Sequence, residues 1–216
     1  MSTKISSVPN RRSIMTLYAD ERDLQGHSVR LVLKEKDINV EVIYINEATK
    51  PEDLNTLNPY GNLLTLIDRD LVLYDGQIMM EYLDERYPHP PLMPVDPVSR
   101  AANRQFRYRI SQDLFTLAKT IESDNDVAAA GAKKQLTDNL LILAPIFDQF
   151  THFMSNEFSL VDLNMATILW RLSHWDIKLG PSAKALNKYG ESLFERDSFA
   201  DSLSPYEKGM SSIERF

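Results

Sequence analysis

At 216 residues, 43% hydrophobic and 25% charged, the chain can bury one or two ordinary globular cores, and its net charge of -7 argues against nucleic-acid binding by the whole surface. Zero cysteines exclude disulfides, thiolate metal sites and a cysteine nucleophile, and His27, His89, His152 and His174 are too scattered to suggest a zinc set, so neither metal nor cofactor is expected. No apolar run approaches the roughly 20 residues of a spanning helix, and Met1 to Asn10 lacks the apolar centre of a secretory signal, so a cytoplasmic protein without a membrane partner is expected.

In chain order, residues 14–19 and 40–45 read as strands, and 24–36 and 51–57 as helices. Two short apolar runs, 64–67 and 71–74, flank Asp68-Arg69-Asp70 and read as a hairpin that feeds a helix over 77–86. This βαβ then ββα order predicts a small thioredoxin-like domain over 12–88. Pro88, Pro90, Pro91, Pro94 and Pro97 make continuous helix untenable next, because proline lacks an N–H and disfavours helix in the residue before it. Residues 89–97 are therefore expected as a semi-rigid extended linker.

Only helices follow, giving a helical domain over 98–205, with 1–11 and 206–216 expected as flexible ends. Ala102, Phe106, Ile110, Leu114, Leu117 and Ile121 recur at three- and four-residue spacing and predict a helix over 98–122. A second is expected over 127–150, with Pro145 kinking it or ending its regular part. Ser159 and Asp162 form a capping-box pattern, with Phe158 and Leu163 as a staple, ahead of an apolar run to Trp175. That helix is apolar on nearly every face and should be the central, buried one.

The stretches carrying a family likeness are Arg11-Arg12-Ser13-Ile14-Met15-Thr16-Leu17, Val29-Arg30-Leu31-Val32-Leu33, residues 80–94 with their Tyr87-Pro88-His89-Pro90-Pro91 core, Phe158-Ser159-Leu160-Val161-Asp162, and Phe194-Glu195-Arg196-Asp197-Ser198-Phe199. From about Arg11 to Leu203 the chain resembles the bacterial starvation-protein branch of the glutathione-transferase superfamily. The resemblance implies an α/β plus all-α protein of the glutathione-transferase fold. It also implies a homodimer that binds RNA polymerase, with its sigma factor, as a stress-linked transcription regulator without enzymatic activity. In it, Tyr87, Pro88, His89, Pro90 and Pro91 are the polymerase contact. Read alone, by composition, they are an interdomain spacer sooner than a contact. Asp96 stands where the family member carries an aromatic residue at the contact edge.

Against the transferase pattern, the glutathione site looks degraded. Transferases lower the pKa of the glutathione thiol with a hydroxyl near the start of the first helix, but residues 20–26 hold no Ser, Thr, Tyr or Cys. They carry Asp20, Glu21 and Asp23 instead, whose like charge opposes thiolate formation. Tyr18 is the one hydroxyl at a plausible place, either an aromatic closing its strand or the catalytic group of a glutathione-dependent transferase or peroxidase, which is the alternative function. Leu64 occupies the position of the usual cis-proline, where a cis bond would cost about 3 to 4 kcal/mol, so Leu63-Leu64 is expected trans. Asp75-Gly76 replaces the acid-serine pair that receives the γ-glutamyl group, with Gly76 also readable as a permissive helix start. Arg100, Arg104, Arg107 and Arg109 are expected as a solvated helix face or as intersubunit partners of Glu81, Asp84 and Glu85, with no sequence-specific nucleic-acid contact.

Overall fold

A computed structural model describes residues 14–210; positions 1–13 and 211–216, which hold Arg11-Arg12-Ser13 of the resemblance and most of the expected ends, lie outside the described residues. Four strands form one sheet in the order β2-β1-β3-β4: β1 (Met15–Ala19), β2 (Val40–Tyr44), β3 (Thr65–Asp68) and β4 (Leu71–Leu73). β1 pairs parallel with β2, Met15 opposite Val40, and antiparallel with β3, Leu17 opposite Leu66. The β3–β4 hairpin turns on Arg69, a non-glycine residue at φ 59.

α1 (Leu24–Glu35) carries the β1–β2 crossover, α2 (Glu52–Leu57) follows β2, and α3 (Gly76–Arg86) follows the hairpin. α1 is buried over Leu24 and Gly26 to Leu33 because it packs between α3 of its own domain and the helical domain beyond. The proline segment then leads into α4 (Pro97–Arg109), whose N-cap is Asp96.

The expected helix over 98–122 runs as α4, a wider π turn over Ile110–Phe115, and α5 (Thr116–Ile121). α6 (Asp126–Leu143) ends where Pro145 enters a 3-10 turn over Ala144–Asp148, since proline cannot supply the next intrahelical N–H. α7 (Leu160–Arg171) is buried at every residue. Ser159 accepts from the Val161 N–H, and Asp162 accepts from the Ser159 N–H at 2.8 Å, which completes the expected capping box. α8 (Lys184–Phe194), α9 (Asp197–Ser202) and α10 (Pro205–Gly209) close the domain.

The flexible end expected from 206 does not hold for 206–210. α10 spans part of that stretch, and Glu207 and Met210 within it are buried. Glu207 is the reason. It accepts from Arg30 Nη2 at 2.6 Å, from Arg171 Nη2 and from the Ser204 N–H at 2.8 Å, and lies 3.2 Å from His27 Nδ1. One carboxylate thus ties α10 to α1 and α7.

Candidate functional site: a crowded helix start and an exposed proline strip

Sequence places Tyr18, Leu64, Asp75 and Gly76 in one pocket, and the structure brings Leu64, Asp75 and Gly76 together at the start of α3. Asp75 caps that helix, accepting from the N–H groups of Gln77 at 2.9 Å and Ile78 at 3.0 Å. Gly76 is the first residue of α3, and its neighbours crowd it. A Cβ at this position would stand 2.9 Å from Gln25 Cβ, 3.2 Å from Gln25 Oε1 and 3.3 Å from Leu64 Cδ2. Gln25 on α1 and Leu64 before β3 therefore leave no room for an unshifted side chain at position 76. Among the described residues the one cis peptide is His89-Pro90, so Leu63-Leu64 is trans as expected.

At the start of α1 two of the N–H groups that could favour an anion are already taken. Asp23 accepts from Gly26 N at 2.8 Å and Gln25 N at 3.3 Å. Burial raises the Asp23 carboxyl above its ordinary value, opposed by these backbone bonds. It is a helix cap, a role the charge argument alone missed. Tyr18 is half-buried on β1, with Ile43 and Thr65 as its register partners.

The arginines correct a second expectation. Arg107 Nη2 meets Glu81 Oε2 at 2.9 Å, Arg104 Nε meets Glu81 Oε1 at 2.8 Å, and Arg100 Nη2 meets Glu85 at 3.3 Å, all within one chain. Arg107 also donates to the carbonyl and side-chain oxygens of Gln77 and to Asn103, so α4 is seamed to α3. Burial pushes the Glu81 carboxyl up, but the Arg104 and Arg107 hydrogen bonds outweigh it and hold it below the usual range. Arg109 pairs with Asp113, and Asp84 is buried against Lys36. The acids nominated for a partner subunit are mostly used inside their own chain.

Tyr87 is half-buried, while Pro88, His89, Pro90 and Pro91 are exposed and Leu92 and Met93 are buried beneath them. The strip thus stands on two apolar anchors. Arg86 lies over the Tyr82 and Tyr87 rings, with Nε 3.1 Å from Asp68 and 3.3 Å from the Tyr87 hydroxyl. Beside the strip an open cleft of about 540 Å³ is lined by Pro91, Met93, Val95, Phe106 and Phe158 among others. Asp96 accepts from the Ser99 N–H at 2.9 Å, so the residue expected at a contact edge is a helix cap. Backbone and side-chain hydrogen bonds with Ser99 hold its carboxyl below the ordinary value.

Two groups escaped the sequence reading: Lys36 with Asp84 under the strip, and the Glu207 cluster. No local signal marks either. A lysine at a helix end and a glutamate near a chain end read as solvated. Among the described residues, no group of three or more His, Cys, Asp or Glu is placed to hold a metal ion, and no helix is long and apolar enough to cross a membrane.

The two-domain architecture is that of the glutathione transferases. Family models for the glutathione S-transferase N-terminal domain and C-terminal domain match residues 26–91 and 108–197. A solved structure of poplar glutathione transferase F1, a Ser13-to-Cys mutant by its own numbering, superposes with a TM-score of 0.78 at 19% identity, covering 89% of this chain and 97% of that one. The chain belongs to the glutathione-transferase family and, within it, groups with the stringent starvation protein A homologues. It is 48% identical over 200 residues to the stringent starvation protein A homolog of Pasteurella multocida, covering 92% of this chain and 94% of that one. The corresponding homolog of Coxiella burnetii is 44% identical over 205 residues, covering 94% and 98%.

Proposed function

We propose that this protein is a non-catalytic transcription regulator that docks on RNA polymerase, with its sigma factor, through Tyr87, Pro88, His89, Pro90 and Pro91 under stress or starvation. The observation that carries the reading is the close packing around Gly76. Gln25 and Leu64 stand within 3.3 Å of the Cβ that a serine at position 76 would need, while the exposed proline strip offers a pre-shaped surface that loses little freedom on binding. The likeness to stringent starvation protein A homologues supports it. Mixing purified chain with polymerase core and holoenzyme tests it directly. Absence of a complex with either form at micromolar concentrations would overturn it. The cytoplasm is where such a partner would be met.

The alternative, a glutathione-dependent transferase or peroxidase using Tyr18, makes an opposite forecast. On the docking reading the wild-type chain is not retained on immobilised glutathione and does not conjugate an aryl halide. Gly76→Ser, which restores the missing hydroxyl, will confer neither property and will lower stability by about 1 to 3 kcal/mol through overpacking against Gln25. Turnover that Tyr18→Phe abolishes would establish the alternative.

The regulator is further proposed to act as a symmetric homodimer, α3 of one subunit against the first helices of its partner's helical domain. Ile78 on α3 and Tyr108 on α4, 57% and 61% exposed, supply apolar surface there. The arginine pairs lie inside one chain, so reversing Arg100 and Arg104 should leave the dimer constant within about 1 kcal/mol. Light scattering that returns a 24.8 kDa particle at micromolar concentration would sink the dimer.

A further inference from the structure

Lys36 follows α1, where an exposed lysine is the ordinary outcome, yet its side chain is 0% exposed. All three of its N–H donors converge on the base of the proline strip. Nζ donates to the Tyr87 carbonyl at 2.6 Å and the Pro90 carbonyl at 2.7 Å, and pairs with Asp84 Oδ1 at 2.8 Å. An ammonium has three donors and no acceptor, so this set saturates it. The same Asp84 oxygen accepts the Leu92 N–H at 2.8 Å, and the Leu92 carbonyl accepts the Leu160 N–H at 2.9 Å where α7 begins. The cation also lies at the carbonyl ends of two helices, as C-cap of α1 and against Tyr87, the C-cap of α3.

The strip needs such a fixing from outside. Pro88, Pro90 and Pro91 have no N–H, so the segment cannot build a backbone ladder of its own. Its carbonyls need donors from elsewhere, and Lys36 supplies them to the first and fourth residues of the five. The spacing of the two accepting carbonyls around one nitrogen sets how sharply the chain folds over between them. Prolines stiffen each step of the strip; the buried ammonium gathers its two carbonyls on one nitrogen.

We infer that the buried Lys36–Asp84 pair is the device that shapes the 87–91 surface, making Lys36 and Asp84 positioning residues for the partner that docks there. The inference rests on the docking reading above. It differs from a plain stabilising ion pair in its forecast: losing the charge changes the strip and its binding while the rest of the chain stays folded.

The test uses the full chain. Lys36→Met keeps the apolar stem and removes the ammonium, but it leaves Asp84 buried without a cation. The double variant Lys36→Met/Asp84→Asn is therefore run beside it, as an uncharged pair in which the amide oxygen at position 84 can still accept the Leu92 N–H. In the double variant, helical circular dichroism and a cooperative melt should persist. Amide exchange at Tyr87 and Leu92 should rise about tenfold or more, and capture of purified polymerase should fall about tenfold or more. Unchanged exchange at both amides would overturn the inference. Faster exchange with undiminished capture would overturn the positioning role. The variant Pro88→Ala/His89→Ala/Pro90→Ala separates the two ideas: if it captures polymerase at the wild-type level, the docking reading fails, whereas the loosening caused by the Lys36 change is read independently of polymerase.

Discussion

Replacing Glu207 with glutamine will destabilise the folded chain by about 3 to 5 kcal/mol, because breaking a buried ion pair leaves the remaining charges without compensation. Arg30 and Arg171, 3% and 0% exposed at the side chain, both depend on this carboxylate. Glutamine preserves shape and one acceptor oxygen but gives two buried guanidinium groups no counter-charge. Burial alone pushes the Glu207 carboxyl up; His27, Arg30 and Arg171 more than reverse this and hold it at about 2, below its ordinary 4.5. Burial drives His27 well below its ordinary 6.5, Glu207 pulling the other way, with Arg171 and Arg30 deepening the depression.

Both shifts act in the same direction on stability. The unfolded chain protonates His27 near 6.5 while the folded chain resists, so stability falls as pH drops below that value. Glu207 adds stability that is complete above 4.5 and lost as pH falls toward 2, a displacement worth about 3 kcal/mol. Urea midpoints measured at pH 7.5, 5.5 and 3.5 should fall in that order for the wild type, and Glu207→Gln should flatten the lower step. A glutamine variant within about 1 kcal/mol of the wild type at neutral pH would show that the cluster is not a determinant of the fold.

How much of this was legible in the sequence divides by the range of the interaction. Elements set by local pattern were readable: the Asp68-Arg69-Asp70 hairpin turn, the Ser159–Asp162 box and the stop at Pro145 each depend on neighbours within a few positions. Groups set by tertiary contact were not. Lys36 and Asp84 are 48 positions apart, and Glu207 and His27 are 180 apart, so no periodicity links them. Charge type told that Arg104 and Arg107 could meet Glu81, but not that they would do so within one chain. The pocket residues were readable as losses from a known pattern. What stands in the vacated space was not, because the approach of Gln25 to Gly76 joins two helices from different parts of the domain.

If the proposed docking reading holds, the change Pro88→Ala/His89→Ala/Pro90→Ala will leave the fold and any dimer intact and abolish capture of polymerase. The three side chains are exposed, and the contacts that anchor the segment include the Tyr87 carbonyl on Lys36 and the buried Leu92 and Met93. The rest of the chain should therefore stay folded, since no buried side chain is changed. Binding should fall. A few residues near the centre of a modest interface carry most of its energy, about 2 kcal/mol or more each. Alanine also returns the backbone freedom that proline removes, adding an ordering cost on docking. A loss of about 4 kcal/mol turns a micromolar complex into a millimolar one, below what co-purification retains. Val127→Ala, at an 86% exposed position on α6, serves as the matched surface control and should bind as the wild type does. Circular dichroism and light scattering establish that the triple variant is folded and of unchanged size before capture is scored. A folded triple variant that still co-purifies with polymerase at wild-type stoichiometry would refute the strip as the docking surface.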